Sequence, residues 1–167
     1  MANDVDFSAI VQDVVLQKYG DTSVFSTQVL LEAPNFFDQW LAGKVELSKI
    51  QGHHLRQLFT DYEWMLCQKA IFQSQSIPEL NGRSAYVYAN AKKQIAKQWL
   101  AAENCESAFT KEQVQGRAVI HLRISLNYDL WGFEDVLDFI VPETVRSEIE
   151  TKQLDLLTWV NNLKIEA

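Results

Sequence analysis

The segment 21–59 most constrains the fold, because its chain-breaking residues allow only short helices. Proline disfavours helical angles at the residue before it, so a helix capped near residue 21 must end near Glu32, ahead of Pro34. Pro34 suits the first turn of the next helix, and Gly43 suits the position just past its end. Ser48 can cap a third helix. The sequence therefore predicts three short helices, the first two separated by a break of about two residues.

Two longer helices are predicted on either side of this segment. Phe7–Tyr19 carries apolar residues at helical spacing and is followed by a glycine, which suits a helix end. Thr60 and Glu63 match a capping box, so another helix should begin at Asp61. Together these elements predict a five-helix bundle, taken as one domain over residues 1–75.

The second half predicts a small sheet among helices, in a domain over 84–167. The expected elements are a helix from Ser84 to about Glu103, strands over 118–126 and 135–141 paired as a hairpin, and helices over 142–150 and 154–163. A lone hairpin is marginally stable, so it must pack on helices or find a third strand in this chain or another copy. The second case would be a homodimer. The fold class is therefore α+β, mainly α, with the bundle followed by a helix, a β-hairpin and C-terminal helices.

Charge and composition limit the classes of function. The net charge is −7 and the pI about 4.9, which argues against strong nucleic-acid binding. The first residues lack a basic signal-peptide region, and no apolar run approaches the roughly 18 residues of a membrane span. Two widely separated cysteines are typical of free thiols in a reducing compartment. We therefore expect a cytoplasmic protein with no membrane partner.

The run QWLAGKVELSKIQGHHLRQLF resembles the end of a Cro-type helix-turn-helix domain, and the resemblance covers roughly residues 7–72. The segment LFTDYEWMLCQK is similar to small uncharacterised bacterial proteins. The resemblance implies that 34–42 is the recognition helix. It implies base contacts from Asn35 and Gln39 and phosphate contacts from Lys44, Lys49 and Arg56. The first functional hypothesis is a small bacterial regulatory protein that acts as a helix-turn-helix DNA-binding transcriptional regulator.

The second hypothesis is an acidic protein–protein interaction or adaptor module that does not bind DNA. Asp38 would repel phosphates, and 34–42 contains no Lys or Arg. The apolar side chains of that helix would then form an exposed anchor on a protein partner: Phe36, Phe37 and Trp40. The helix after Ser84 is locally basic, which predicts a further interaction surface: Arg83, Lys93 and Lys97.

The sequence predicts no catalytic, cofactor or metal site, and an enzyme is not expected. Adjacent histidines at 53 and 54 diverge on a helix, and no zinc-binding spacing is present. Cys67 lies among apolar residues and is expected to be inert, whereas Cys105 lies in a polar loop and is the more reactive thiol. A third hypothesis is a small-molecule-binding or enzymatic C-terminal half, with a polar pocket around His121, Arg123 and Trp131.

Overall fold

The architecture is mixed α+β and mainly helical, as predicted, in a computed structural model that describes residues 4–166. The helices are α1 (Val5–Tyr19), α2 (Thr22–Gln28), α3 (Phe36–Leu41), α4 (Lys49–Arg56), α5 (Asp61–Ser76), α6 (Ser84–Ala102), α7 (Glu143–Glu150) and α8 (Leu156–Asn161), with a 3-10 turn at Pro78–Leu80. The strands are β1 (Glu106–Val114), β2 (Arg117–Asn127) and β3 (Glu134–Val141). In this part of the chain, no helix is both long enough and apolar enough to cross a membrane.

The chain forms two compact units that are each discontinuous in sequence. The first unit contains the residues up to Phe59 together with Cys67–Tyr88. The second contains Thr60–Leu66 and the residues from Ala89 onward. Helices α5 and α6 therefore each contribute to both units. The division differs from the predicted ranges 1–75 and 84–167 by the first turns of these two helices.

An aromatic core organises the first unit. The fully buried rings of Phe25 and Phe37 meet edge to face at 5.2 Å, and Phe37 stacks on Trp40 at 5.6 Å. Tyr19 and Phe7 extend the cluster, at 5.3 Å from Phe25 and 6.2 Å from Trp40. Such ring pairs add about 0.5–1.5 kcal/mol each beyond the area that they bury. The short helices α1–α3 are thus held by their aromatic side chains.

The break between α2 and α3 is longer than predicted. Helix α2 ends at Gln28 and α3 begins at Phe36, so the expected break of about two residues at Pro34 is wrong. The Ser26 hydroxyl accepts the backbone N–H of Phe37 at 2.9 Å in a buried position, which fixes where α3 begins. Leu31 has φ 57°, a left-handed conformation that interrupts the intervening chain.

The predicted boundaries at the end of α1 and at the starts of α2 and α4 are confirmed, whereas Pro34, expected in the first turn of α3, precedes that helix. Ser48 and Gln51 form a reciprocal capping box at the start of α4. The side chain of Asp21 accepts the N–H of Ser23 at 2.8 Å at the start of α2. Gly20 has φ 76° and ends α1 in the left-handed conformation that glycine adopts without steric cost.

A three-stranded antiparallel sheet of order β1-β2-β3 lies in the second unit. The hairpin predicted over 118–126 and 135–141 corresponds to β2 and β3 and is confirmed. The third strand lies in this chain: β1 joins β2 through a two-residue turn, in which Gln115 and Gly116 both have positive φ. One face of the sheet buries apolar side chains of β2 and β3 against helices, and the partly buried Phe109 of β1 packs against this core. The core residues are Ala96, Ile120, Leu122, Ile124, Leu137, Val141, Trp159 and Val160.

Helix side chains close the outer edge of β3. The Glu63 carboxylate, only 2% exposed, accepts the N–H of Thr60 at 3.0 Å and the N–H of Asp138 at 2.9 Å. Lys92 pairs with the same carboxylate at 2.9 Å and also donates to the Asp138 carbonyl. The Thr60 hydroxyl donates to the Val136 carbonyl at 2.6 Å. The predicted capping box of α5 therefore also satisfies the backbone of an edge strand.

Replacing Glu63 with Ala should lower the free energy of unfolding by roughly 3–5 kcal/mol, because it leaves the Lys92 ammonium without its carboxylate. It also leaves the Asp138 N–H without an acceptor. Urea denaturation followed by circular dichroism measures the change. The matched control is Glu143→Ala, which removes an exposed carboxylate 3.8 Å from Arg146 and should cost less than about 1 kcal/mol. Equal losses in the two variants would contradict this role of Glu63.

Candidate functional site

The residues predicted to contact DNA lie on and after a very short helix. Helix α3 has six residues, a rise of about 9 Å, and the connector before it is longer than the roughly three- to four-residue turn of a helix-turn-helix. Asn35 is the exposed N-cap of α3, and Gln39 is half-buried. Lys44 and Lys49 are exposed. Arg56 is half-buried and donates to the Phe59 carbonyl at 3.2 Å, so this guanidinium is partly committed to the fold.

The exposed anchor predicted on α3 is wrong for two of its three aromatic residues. Phe37 and Trp40 are fully buried, because they form the aromatic core of the first unit. Phe36 is half-buried. Of these three aromatic residues, a partner could therefore contact only Phe36 without opening the core.

The basic residues predicted on and before α6 differ in their contacts. Arg83 belongs to the first unit, and its guanidinium lies over the Tyr86 ring at 4.6 Å. Lys93 belongs to the second unit and donates to the Leu163 carbonyl at 2.6 Å. Lys97 is exposed. The side chains of Arg83 and Lys93 therefore each have a partner within their own unit.

A polar cluster lies on the sheet face opposite the apolar core. His121 on β2 is 9% exposed, and its ring lies between two carboxylates. Its Nε2 lies 2.9 Å from Glu112 on β1, and its Nδ1 lies 2.9 Å from Asp138 on β3. Arg123 approaches Asp138 at 3.7 Å. Because Glu112, His121 and Asp138 lie on β1, β2 and β3, these contacts join all three strands.

The geometry of this cluster does not suit a metal ion. The two carboxylates contact opposite nitrogens of the His121 ring, so they do not converge on one point. Across residues 4–166, no group of three or more His, Cys, Asp or Glu side chains is arranged to hold a metal. Trp131 is 99% exposed, so it does not line a pocket with His121 and Arg123, as the third hypothesis required.

The most exposed apolar group of the second unit lies in the turn between β2 and β3. We call four side chains of this turn the aromatic tip: Tyr128, Leu130, Trp131 and Phe133, which are 48%, 53%, 99% and 61% exposed. The rings of Tyr128 and Phe133 meet edge to face at 5.6 Å. Large apolar side chains grouped in this way on a surface mark an interaction site more often than single exposed ones do.

Hydrogen bonds fix the backbone of the tip. The N–H of Tyr128 donates to the Phe133 carbonyl at 3.2 Å, and the N–H of Phe133 donates to the Leu130 carbonyl at 2.8 Å. The Asn127 side chain accepts the N–H of Asp129 at 2.8 Å. The Tyr128 hydroxyl donates to the Asp135 carboxylate at 2.6 Å, and this bond raises the pKa of Tyr128. The tip is therefore a turn whose backbone is held by internal hydrogen bonds.

The tip also contains unfavourable backbone angles. Asp129 and Trp131 have φ 55° and 47°, and Gly132 has φ 74°. A left-handed conformation costs a non-glycine residue roughly 1–2 kcal/mol. These angles set the shape of the turn, as the angle at Gln115 does between β1 and β2.

Acidic residues lie close in sequence to the apolar side chains of the tip. Asp129, Glu134 and Asp135 lie in or beside the turn, and no Lys or Arg occurs from residue 124 to residue 145. The sequence showed this segment, NYDLWG, only as turn-like. Its signal was the concentration of large apolar residues in a turn, where polar residues are usual.

Comparison with known proteins finds no family model that matches this chain and no curated protein that matches it.

The two thiols should differ in reactivity. Burial, with a smaller effect of Asp4, raises the pKa of the fully buried Cys67 thiol to about 12, against an ordinary value of 9.0. Its thiolate fraction at pH 8 is therefore about a thousandfold lower than that of an ordinary cysteine. Cys105 is half-buried, and burial also raises the pKa of its thiol.

We expect an aromatic disulfide reagent to modify Cys105 at least about a hundredfold faster than Cys67 in the folded protein. In urea, the two rates should become similar. Mass spectrometry of peptides from quenched samples measures each site. Rapid modification of Cys67 in the folded chain would show that its helix opens frequently.

Proposed function

We propose that this protein is a protein–protein interaction module and that the aromatic tip is its docking surface. The observation that carries the proposal is the Trp131 side chain, which is 99% exposed on a turn with a fixed backbone. Tryptophan and tyrosine are enriched among the residues that dominate binding energy at protein interfaces. A fixed turn also loses little conformational entropy when a partner binds.

The energy available from the tip is sufficient for an anchor. A buried Trp side chain removes roughly 150–250 Å² from water, a gross gain on the order of 5 kcal/mol. Leu130 and Phe133 flank Trp131 and are more than half exposed, so they can exclude water around it. The tip therefore has the composition of a small central anchor with an apolar surround.

Charge complementarity defines the chemistry of the partner. The carboxylates of Asp129 and Glu134 border the apolar side chains, and the nearest Lys or Arg residues along the chain are Arg123 and Arg146. An anionic membrane or a nucleic acid would repel such a surface. The partner that fits is a protein with an apolar pocket bordered by Lys or Arg.

The helix-turn-helix hypothesis has weaker support. Helix α3 is short and uses Phe37 and Trp40 in the core, and the whole chain carries a net charge of −7. The bases at Lys44 and Lys49 are exposed, but the residues of α3 itself include no Lys or Arg. These features favour the adaptor hypothesis over DNA reading.

The proposed location is the cytoplasm. Cys67 and Cys105 are both free thiols. Free cysteines are typical of proteins in a reducing compartment. The proposed partner is accordingly a cytoplasmic protein.

Replacing Trp131 with Ala should weaken partner binding at least about thirtyfold, because it removes the central anchor. The immobilised protein first captures candidate partners from a cell extract. A protein retained by the wild type and lost with the variant is then purified, and its Kd for each chain is measured by calorimetry. The unfolding midpoint should not fall, since Trp131 is 99% exposed.

The matched control is Met65→Ala, which removes another exposed apolar side chain of the second unit. It should bind the partner as the wild type does. Glu134→Gln should weaken binding several-fold and reduce the salt dependence, whereas Glu148→Gln should not, since Glu148 lies on α7. Equal binding by the Trp131 and Met65 variants would refute the tip as the docking surface.

Titration with mixed-sequence duplex DNA separates the two hypotheses. We expect no binding at low salt, since the chain carries a net charge of −7 and α3 contains no Lys or Arg. Fluorescence anisotropy of labelled DNA at about 50 and 200 mM salt measures this. Binding that weakens steeply with salt, and that weakens further with Lys44→Ala, would restore the helix-turn-helix hypothesis.

A further inference from the structure

The two edges of the sheet differ in how their backbone groups are satisfied. On β3, the outward N–H of Asp138 and the outward carbonyls of Val136 and Asp138 bond to side chains of α5, α6 and the residue before α5. A further strand cannot add there without displacing those side chains. Among residues 4–166, no side chain bonds in this way to the outward backbone groups of β1.

The pattern on β3 identifies which backbone groups of β1 face outward. A residue in an antiparallel strand directs its N–H and its C=O to the same side. The backbone groups of Val136 and Asp138 point away from β2, so the odd-numbered residues of β3 are those that bond to β2. Their partners are the even-numbered residues of β2. The odd-numbered residues of β2 therefore bond to β1. Their partners on β1 are the even-numbered residues. The outward groups of β1 therefore belong to Ser107, Phe109, Lys111 and Gln113.

These four residues form a straight, open edge. In the described part of the chain, no hydrogen bond from outside the sheet reaches their backbone groups. The register of β1 with β2 is continuous over nine residues, without a bulge, and β1 contains no proline. Bulges and prolines are common devices that keep an exposed edge from pairing with another chain. Strand β1 has neither.

We propose that β1 pairs with β1 of a second copy of this chain, antiparallel and centred on Thr110, so that the two sheets become continuous. This proposal does not depend on the aromatic tip. A two-fold axis perpendicular to the sheet requires one residue to face itself across the axis. Thr110 is the midpoint of Glu106–Val114, so this register pairs the whole strand.

Avoidance of like-charge pairs favours the same register. With Thr110 at the centre, Lys111 faces Phe109 of the second copy, and Glu112 faces Ala108. Moving the centre to Lys111 would place two lysines opposite each other. Moving it to Phe109 would place Glu112 opposite Glu106. Like charges directly opposite each other destabilise a strand pair, so the centre at Thr110 is favoured over both neighbours.

The proposed geometry can be tested by a cysteine at the axis. In this register the two Thr110 residues form a non-hydrogen-bonded pair with Cα atoms about 4.5 Å apart, within the range that a disulfide bridges. The matched control is Ala108→Cys, because two copies of residue 108 would lie about 14 Å apart along the strands. Wild-type chain, which keeps Cys67 and Cys105, measures the background.

After mild oxidation of each protein, we expect Thr110→Cys to give at least about tenfold more disulfide-linked dimer than Ala108→Cys or the wild type. Non-reducing electrophoresis measures the linked fraction. Similar fractions in the two cysteine variants would overturn the proposed register.

A proline substitution tests the association itself. Lys111→Pro removes an outward N–H and leaves the bonds from β1 to β2 intact, so the chain should fold and its dimer should weaken at least about tenfold. Lys111→Ala keeps that N–H and should remain a dimer. Sedimentation velocity gives the oligomeric state, and thermal unfolding confirms the fold. A wild-type chain that is monomeric at about 100 µM, or a proline variant that dimerises normally, would overturn the proposal.

Discussion

The second unit depends on one buried carboxylate. A charge that is 2% exposed is tolerated only when its oxygens are paired, and the Glu63 oxygens bond to Thr60, Asp138 and Lys92. The same group begins α5, neutralises an ammonium on α6 and terminates the hydrogen-bonding edge of β3. Without this arrangement the N–H of Asp138 on the β3 edge would lose its acceptor and the Lys92 ammonium its carboxylate.

One edge of the sheet, β3, is therefore covered by side chains, whereas the β1 edge and the aromatic tip are the two surfaces proposed to bind partners. No described residue outside the sheet bonds to the outward backbone groups of β1. At the end of the β2–β3 hairpin, Trp131 is displayed on a bonded turn. The two proposed contacts use different chemistry: backbone hydrogen bonds at β1 and apolar burial at the tip. They also use different strands, so a second copy and another protein could bind together.

Local patterns predicted the helices well, because a cap or an apolar stripe is a property of a few neighbouring residues. Ser48 and Glu63 showed their helix starts directly. Strand β1 was missed because ESAFTKEQV lacks buried alternation, and its position depends on pairing with β2. The α3 aromatics were misassigned as exposed because burial is set by contacts such as that between Phe37 and Phe25. Exposure of Trp131 likewise could not be read from the turn sequence.

The discontinuity of the two units has a consequence for how the chain is made. The first unit needs residues as far as Tyr88, and the second takes its first segment, Thr60–Leu66, from within the sequence of the first. Glu63 leaves the ribosome long before Asp138, the N–H of which it must accept. Until Asp138 has been synthesised, 75 residues after Glu63, this carboxylate lacks one of its buried donors. The contact between α5 and β3 can therefore be completed only late in synthesis.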